Sequence, residues 1–397
     1  MSQGFSFNNN KNLANISMFV IFLLPVTFLS GISSNYLFVL YPLILVLFKN
    51  KIVIPHTHVL RAILFYFILL IVSVLIQMEL SQFYVRRFLS FFILMSMFSF
   101  LFISIDKNMI TAFKISIVLY SLFYIIPPIG TYFFAGASGL EDNIKGQFGS
   151  QRYGFIYLMA FWIVYLDSPK EIPWNFVLKY IVLALLLIGI LMTFSRSSVV
   201  SLLMSLITYV LYESYSSRKS FFTRIKKFFV LVFACICIYF AVDFFIPRLV
   251  EFFNATFFSI LLDKGVEGFD LSNNDSSIGY RLYMFGEIMN FLAANPLTGS
   301  GYLGVWTLFD DLSGSAHSQY TDVLFRVGIF GFIIYMLLVK RVVYYLFKCD
   351  KSLFFGFIAV LFYGLFHETF KLSHGGFLLA FLLALAFQKK TISIKAI

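Results

Sequence analysis

The stretch VLKYIVLALLLIGILMTF, residues 177–194, decides the fold class, because it offers 18 residues with a single charge. A helix needs about 20 predominantly apolar residues to cross the hydrocarbon of a membrane. A second apolar run, residues 197–212, follows after a short polar turn, and similar runs recur along the chain. Of the 397 residues, 60% are hydrophobic and 12% charged, whereas about a quarter are charged in an ordinary soluble domain. The sequence therefore predicts a polytopic membrane protein.

The apolar runs are continuous rather than interleaved with polar residues, so they predict helices that satisfy their own backbone hydrogen bonds. We predict an all-α fold that forms a single membrane domain over residues 1–397, since no internal repeat or low-complexity linker divides the sequence. About 12 transmembrane helices are expected. Their predicted bounds are 16–31, 35–48, 60–77, 88–105, 109–129, 152–167, 177–194, 197–212, 228–246, 321–339, 352–370 and 375–388.

Basic residues in short loops set the orientation, because cytoplasmic loops of membrane proteins carry an excess of lysine and arginine. Residues 213–227, residues 340–351 and the tail after residue 388 are basic segments of this kind. We expect them, and both termini, in the cytoplasm. Residues 247–320 then form one large loop on the outer side, with three basic against eight acidic residues. The net charge of +11 thus reflects membrane topology and gives no reason to expect a nucleic acid partner.

The large outer loop is expected to contain one amphipathic helix near residues 279–294. The apolar residues that recur there at helical spacing are Leu282, Phe285, Met289 and Leu292. The Asn295-Pro296 pair ends the pattern, and the glycine-rich residues 298–304 should be irregular backbone. Such a helix is expected at the membrane interface or across the mouth of the helical bundle.

Several arginines lie on the predicted outer side, where the orientation rule leaves few basic residues. They are Arg86 and Arg87 between two spans, Arg152 at the start of a span, Arg196 in the turn Phe194-Ser195-Arg196-Ser197-Ser198, and Arg281 in the loop helix. Guanidinium groups gathered at one membrane face suit bidentate binding of phosphate or diphosphate. The alternative is that each side chain reaches the lipid headgroups by itself. For Arg196, a tight turn between two long apolar runs favours the bundle interior.

His317 lies in the segment Gly314-Ser315-Ala316-His317-Ser318-Gln319-Tyr320, just before the predicted span 321–339. Imidazole accepts a proton or donates to phosphate near neutral pH, whereas an isolated loop histidine is more often only solvated. Further substrate contacts are expected from residues of the same segments, namely Ser195, Tyr280, Tyr320, Asp322 and Glu287. The sequence has no HExxH, P-loop or EF-hand motif, so it gives no support for a metal site or nucleotide hydrolysis.

The order of these motifs resembles the O-antigen ligase and polymerase superfamily. The resemblance covers about residues 190 to 335. It is carried by Phe194-Ser195-Arg196-Ser197-Ser198, by Arg281, by Asn295-Pro296-Leu297-Thr298-Gly299-Ser300-Gly301-Tyr302, by His317-Ser318-Gln319-Tyr320 and by Phe325-Arg326-Val327-Gly328-Ile329-Phe330-Gly331. The sequence departs from the family pattern at Ser318 and Arg326, where an asparagine and an acidic residue are common.

The resemblance implies a multi-helical, GT-C-like membrane fold in the bacterial inner membrane, with the active site at the periplasmic face. It implies a glycan linked to undecaprenyl diphosphate as substrate, and neither a nucleotide sugar, a cofactor nor an essential metal. Carried over to this sequence, Arg196 and Arg281 bind the diphosphate and His317 lies at the reacting centre. His317 is then the general base of an inverting displacement. The alternative is that His317 binds the diphosphate and Asp322 or Glu287 is the base.

Three functions are compatible with these features. We favour a polymerase that joins lipid-linked repeat units, because 54 phenylalanines and 23 tyrosines suit a family that adapts to many different glycans. A ligase would transfer finished glycan from the same donor to the lipid A core. A non-enzymatic flippase or exporter is expected to keep its charged residues near the midplane between symmetric halves, whereas this chain gathers them in one outer loop. A polymerase would have the lipid bilayer and a chain-length-regulating membrane protein as partners.

Overall fold

The structure, a computed structural model, describes residues 101–123, 125, 154–167, 176–193, 195–216, 277–300, 317–370 and 373–387, together with positions 61, 64 and 68. Regular secondary structure in these ranges is helical. The helices are α1 over residues 107–123, α2 Gly154–Leu166, α3 Phe176–Met192, α4 Arg196–Ser216, α5 Ser277–Ala294, α6 Gln319–Cys349, α7 Lys351–Tyr363 and α8 Ser373–Phe387. The all-α prediction is thus confirmed for the described part of the chain.

Membrane-spanning character is clearest in α6, which is long and apolar enough to cross a membrane by length and composition. Shorter apolar helices accompany it in the described ranges, among them α2 and α8. The prediction of 12 spans includes segments outside the described residues and stays a prediction. So does the GT-C-like arrangement of the helices.

The prediction of a loop over residues 340–351 is wrong, because α6 continues as a helix to Cys349. The cytoplasmic placement of this segment stays a prediction. Lysine and arginine are good helix formers, so Lys340 and Arg341 mark a change in polarity and not the end of the helix. Asp350, with extended backbone, separates α6 from the start of α7. The predicted span 352–370 is also too long, since α7 ends at Tyr363 and turns follow.

The described helices fall into two compact units. The first unit contains α5, α6 and α8, with residues 295–300 and 364–370 between them. In it α6 packs against α8, and the Arg341 Nε donates to the carbonyl oxygen of Ala386 at 3.3 Å. A cation at the last turn of a helix interacts favourably with its dipole. Arg341 therefore fixes the carboxyl end of α8 beside α6.

The second unit contains α2, α3, α4 and α7. Its centre is Trp162 of α2, which is fully buried. The indole Nε1 donates to Ser205 Oγ of α4 at 2.9 Å, and the Trp162 ring lies 5.2 Å from the Phe355 ring of α7. A buried ion pair joins Lys114 Nζ to Asp167 Oδ1 at 3.0 Å. The division into two compact units does not test the prediction of a single membrane domain, which stays a prediction.

Helix α5 packs one apolar side against α6. Its buried residues are Met284, Ile288 and Leu292, which pack with Phe325 of α6, whereas Phe285 is 49% exposed. Met289 is partly buried against the same cluster, so Met289 and Leu292 of the predicted pattern both pack there. The helix is apolar on more than one side, so spacing alone fits two stripes. The position of Phe325 selects between them.

Candidate active site

The segment around His317 forms the start of α6. His317 has a positive φ of 54° and is half-buried. Ser318 caps the helix: its Oγ accepts from the backbone N–H of Thr321 at 3.5 Å, and its carbonyl accepts from Asp322 at 2.9 Å. Serine is a preferred residue at this position because it satisfies one of the open donors of the first turn. His317 is thus held at the entry to a capped helix.

Gln319, two residues after His317, ties a distant segment to this turn. Its backbone N–H donates to the carbonyl of Gly364 at 2.8 Å, and its Oε1 accepts from the backbone N–H of Phe370 at 2.7 Å. Gln319 is 4% exposed. The two bonds hold residues 364–370, which include the buried Glu368, beside the beginning of α6. This contact was not predicted, because the two partners are 51 residues apart in sequence.

Asp322 is engaged by an arginine on the next turn of α6. Its Oδ2 accepts from Arg326 Nε at 2.7 Å, and the side chains are 3% and 14% exposed. A charge-assisted hydrogen bond of this kind fixes the carboxylate in one orientation. Asp322 is therefore better suited to ordering the start of α6 than to accepting a proton. Arg326, which departs from the family pattern, is the residue that makes this pair.

The turn after α5 docks onto α6. The amide of Gly299 donates to the carbonyl of Asn295 at 3.0 Å, which closes the turn. The amide of Ser300 then donates to the carbonyl of Phe325 at 2.7 Å, and the amide of Ile329 donates to the carbonyl of Pro296 at 2.9 Å. At this level α6 is broken, since Gly328 has φ 62° and ψ −170°. We call these two hydrogen bonds between residues 296–300 and α6 the backbone junction.

The Arg196 turn lies in the second unit, at the start of α4. Buried hydroxyls fix its backbone: Thr193 Oγ1 accepts from the amide of Ser195 at 3.3 Å, and Ser195 Oγ lies 2.5 Å from Ser197 Oγ. A β-carbon on Gly154, at the start of α2, would overlap Ser198 Oγ. The starts of α2 and α4 therefore meet closely. Arg152 precedes α2 in the sequence, and Arg196 is the first residue of α4.

The predicted site residues differ in how far the structure describes them. Arg86, Arg87 and Arg152 lie outside the described residues. Arg196, Tyr280 and Arg281 are described by their backbones, as parts of α4 and α5. Tyr320 and Asp322 share the first turns of α6 with His317, whereas Glu287 is a half-buried residue of α5. Their roles in binding and catalysis stay predictions.

The described part of the chain has apolar helices with polar turns at their ends, which is typical of a broad class of helical membrane proteins. Within that class, residues 181–336 match the family model described as O-antigen ligase. This match supports the O-antigen ligase and polymerase superfamily, which the motifs of the sequence predicted. The members are bacterial membrane proteins of glycosyltransferase type that act on lipid-linked glycans. No curated protein matches the chain.

Proposed function

We propose that this protein is a polymerase of bacterial surface polysaccharide. It transfers a growing glycan from undecaprenyl diphosphate to an incoming lipid-linked repeat unit, at the periplasmic face of the inner membrane. The observation that carries the proposal is the family match over residues 181–336. This range contains both the Arg196 turn and the His317 turn, and it contains α5 with Arg281.

Arg196 and Arg281 bind the diphosphate in this proposal. Cleavage of the bond between the anomeric carbon and the diphosphate builds negative charge on the leaving group. Fixed guanidinium groups stabilise that charge best in a site that excludes water. The hydroxyl contacts around Thr193 and Ser195 support such a role, because they hold the backbone before Arg196 in one conformation. Losing one donor of this kind costs about 10² to 10³ in rate.

His317 is the general base that accepts the proton of the attacking hydroxyl. The Ser318 cap and the two Gln319 hydrogen bonds support this role, since they fix the backbone that carries the imidazole. Asp322 is a weaker candidate for the base because Arg326 engages its carboxylate. Glu287 remains the alternative base, in which case His317 contacts the diphosphate. No metal or nucleotide sugar takes part in either version.

A ligase is the second candidate, since the matching family model carries the description O-antigen ligase. Deletion of the gene distinguishes the two functions on a gel of surface lipopolysaccharide. A missing polymerase leaves core with a single repeat unit, whereas a missing ligase or flippase leaves bare core. Core with one repeat unit is the expected result, and bare core would contradict the polymerase.

The site assignment is tested in the deletion strain by complementation. We expect Arg196→Ala, Arg281→Ala and His317→Ala, each at wild-type abundance in the membrane, to abolish the ladder of long chains. Lys107→Met serves as the control, because Lys107 is exposed and lies on another helix. A full ladder from all three site variants would remove the assignment while leaving the polymerase itself in place.

A further inference from the structure

The break in α6 at Gly328 gives two backbone groups of this helix hydrogen-bond partners in another segment. In an unbroken helix the amide of Ile329 would donate to the carbonyl four residues earlier, that of Phe325. Here the Ile329 amide donates to Pro296, and the Phe325 carbonyl accepts from Ser300. The 296–300 turn thus satisfies the donor and the acceptor that the break releases. Irregular backbone is tolerated in membrane proteins where other protein groups satisfy it in this way.

Two glycines make this close approach possible. Gly299 and Gly328 are both buried and both have φ 62°, a conformation that side chains disfavour. A β-carbon at Gly299 would overlap the carbonyl oxygen of Phe325 and lie 2.6 Å from the amide nitrogen of Gly328. A β-carbon at Gly328 would overlap the carbonyl oxygen of Leu297 and lie 2.8 Å from the amide nitrogen of Thr298. Each glycine therefore has two separate reasons to lack a side chain.

The junction connects the two segments that carry candidate site residues of the first unit. Arg281 lies in α5, which runs into the 296–300 turn. His317 directly precedes the part of α6 that ends at the break. The same two helices also share the cluster of Met284, Ile288, Leu292 and Phe325. The main-chain bonds and the apolar cluster together fix α5 against the first three turns of α6.

We propose that the backbone junction is a positioning element of the active site, with Gly299 and Gly328 as its positioning residues. It sets where α5 presents Arg281 relative to the His317 end of α6, and this inference rests on the proposed function. If α6 were unbroken, the Ile329 amide would donate to the Phe325 carbonyl, and neither group would need a partner from another segment. A helix break that is held open by a second segment is a distortion of the kind that functional sites retain.

The glycines are tested by alanine substitution with a matched control. Gly286, in α5, has open space around its β-carbon position, so Gly286→Ala should keep wild-type activity. Gly299→Ala and Gly328→Ala should each lower the turnover number in polymer formation from purified lipid-linked repeat unit by about 10²-fold, since misplacement by about 1 Å has that effect. The KM for the donor should change much less. Wild-type turnover in both variants would overturn the proposal.

Ile329 allows a test on the donor side of the junction, because proline replaces the amide hydrogen with a ring carbon. Its side chain is 47% exposed, whereas its amide belongs to the junction. Ile329→Pro removes that amide at the start of the helix after the break, where proline is tolerated. Ile329→Ala keeps it. We expect the proline variant to have about tenfold lower turnover than the alanine variant, and equal activities would overturn the proposal even if the glycine variants do not accumulate.

A double-substitution cycle separates positioning from general stability. If the junction acts through His317, then Ile329→Pro should lower turnover much less in a His317→Ala background than in the wild type. Equal fold losses in the two backgrounds would contradict an action through His317. Full activity of His317→Ala alone would instead contradict the proposed site. The two failures are therefore distinguishable.

Discussion

Gln319 contacts the backbone at two positions, and it gives the sharpest prediction for a single side chain. Gln319→Ala removes the acceptor for the buried amide of Phe370 and should lower the free energy of unfolding by about 1–3 kcal/mol. Gln319→Glu keeps an acceptor oxygen at the same reach and nearly the same side-chain volume. We expect the glutamate variant to retain more stability than the alanine variant in thermal unfolding in detergent. The reverse order would contradict the contact.

Single residues were predictable from sequence where their partners are close in the chain. Asp322 and Arg326 are four residues apart, a spacing at which helical side chains meet, and they form an ion pair. Lys114 and Asp167 are 53 residues apart, and sequence spacing gave no sign of their buried pair. The contacts of Gln319 with Gly364 and Phe370 likewise join residues that are far apart in the sequence. Local periodicity indicates neighbours within a helix, whereas a contact between helices depends on their packing.

Among the helices, α5 provides a test of which face is buried. Ile288→Ala removes a fully buried side chain from the contact with Phe325 and should lower the free energy of unfolding by about 2–5 kcal/mol. Phe285→Ala is the matched control, because Phe285 is 49% exposed. Chemical denaturation of the two variants measures the difference. A larger loss from Phe285→Ala would contradict the packing of α5 against Phe325.

The bounds predicted from hydropathy were accurate only where the change from apolar to polar residues coincides with the end of the helix. The predicted spans 152–167 and 177–194 agree within two residues with α2 and α3. In α6 the apolar run ends before the helix does, because Lys340 and Arg341 are polar yet remain helical. Hydropathy reports depth in the membrane, and a helix that continues beyond the hydrocarbon gives no signal of its continuation.

For the whole molecule, the part of α6 after the break predicts where its carboxyl end lies. From Ile329 to Cys349 it has 21 residues, about 32 Å at about 1.5 Å per residue, which matches about 30 Å of hydrocarbon. By the positive-inside rule, the basic residues of its last turns predict that this end lies at the cytoplasmic face. The exposed thiol of Cys349 should therefore react with a membrane-impermeant maleimide in inverted vesicles but not in intact cells. Cys349→Ser is the control, and labelling from the outside would reverse the topology.

The fold class and the superfamily were predictable from the sequence, since composition and the order of motifs carry them. The grouping of helices into two units was not. α7 packs with α2 and α4, although α5 and α6 lie between them in the chain. Hydropathy identifies spans without saying which spans are neighbours, so this arrangement had no sequence signal.

The late position of α7 in the chain has a consequence for biosynthesis. About 130 residues separate the end of α4 from Lys351, and translation at about 5–20 residues per second needs roughly 7 to 26 seconds to make them. During that interval the nascent chain contains Trp162 and Tyr209 but not yet Phe355, whose ring they contact in the folded protein. A ribosome that stalls before Lys351 therefore leaves an unfinished aromatic surface for the insertion machinery and quality-control proteases to recognise.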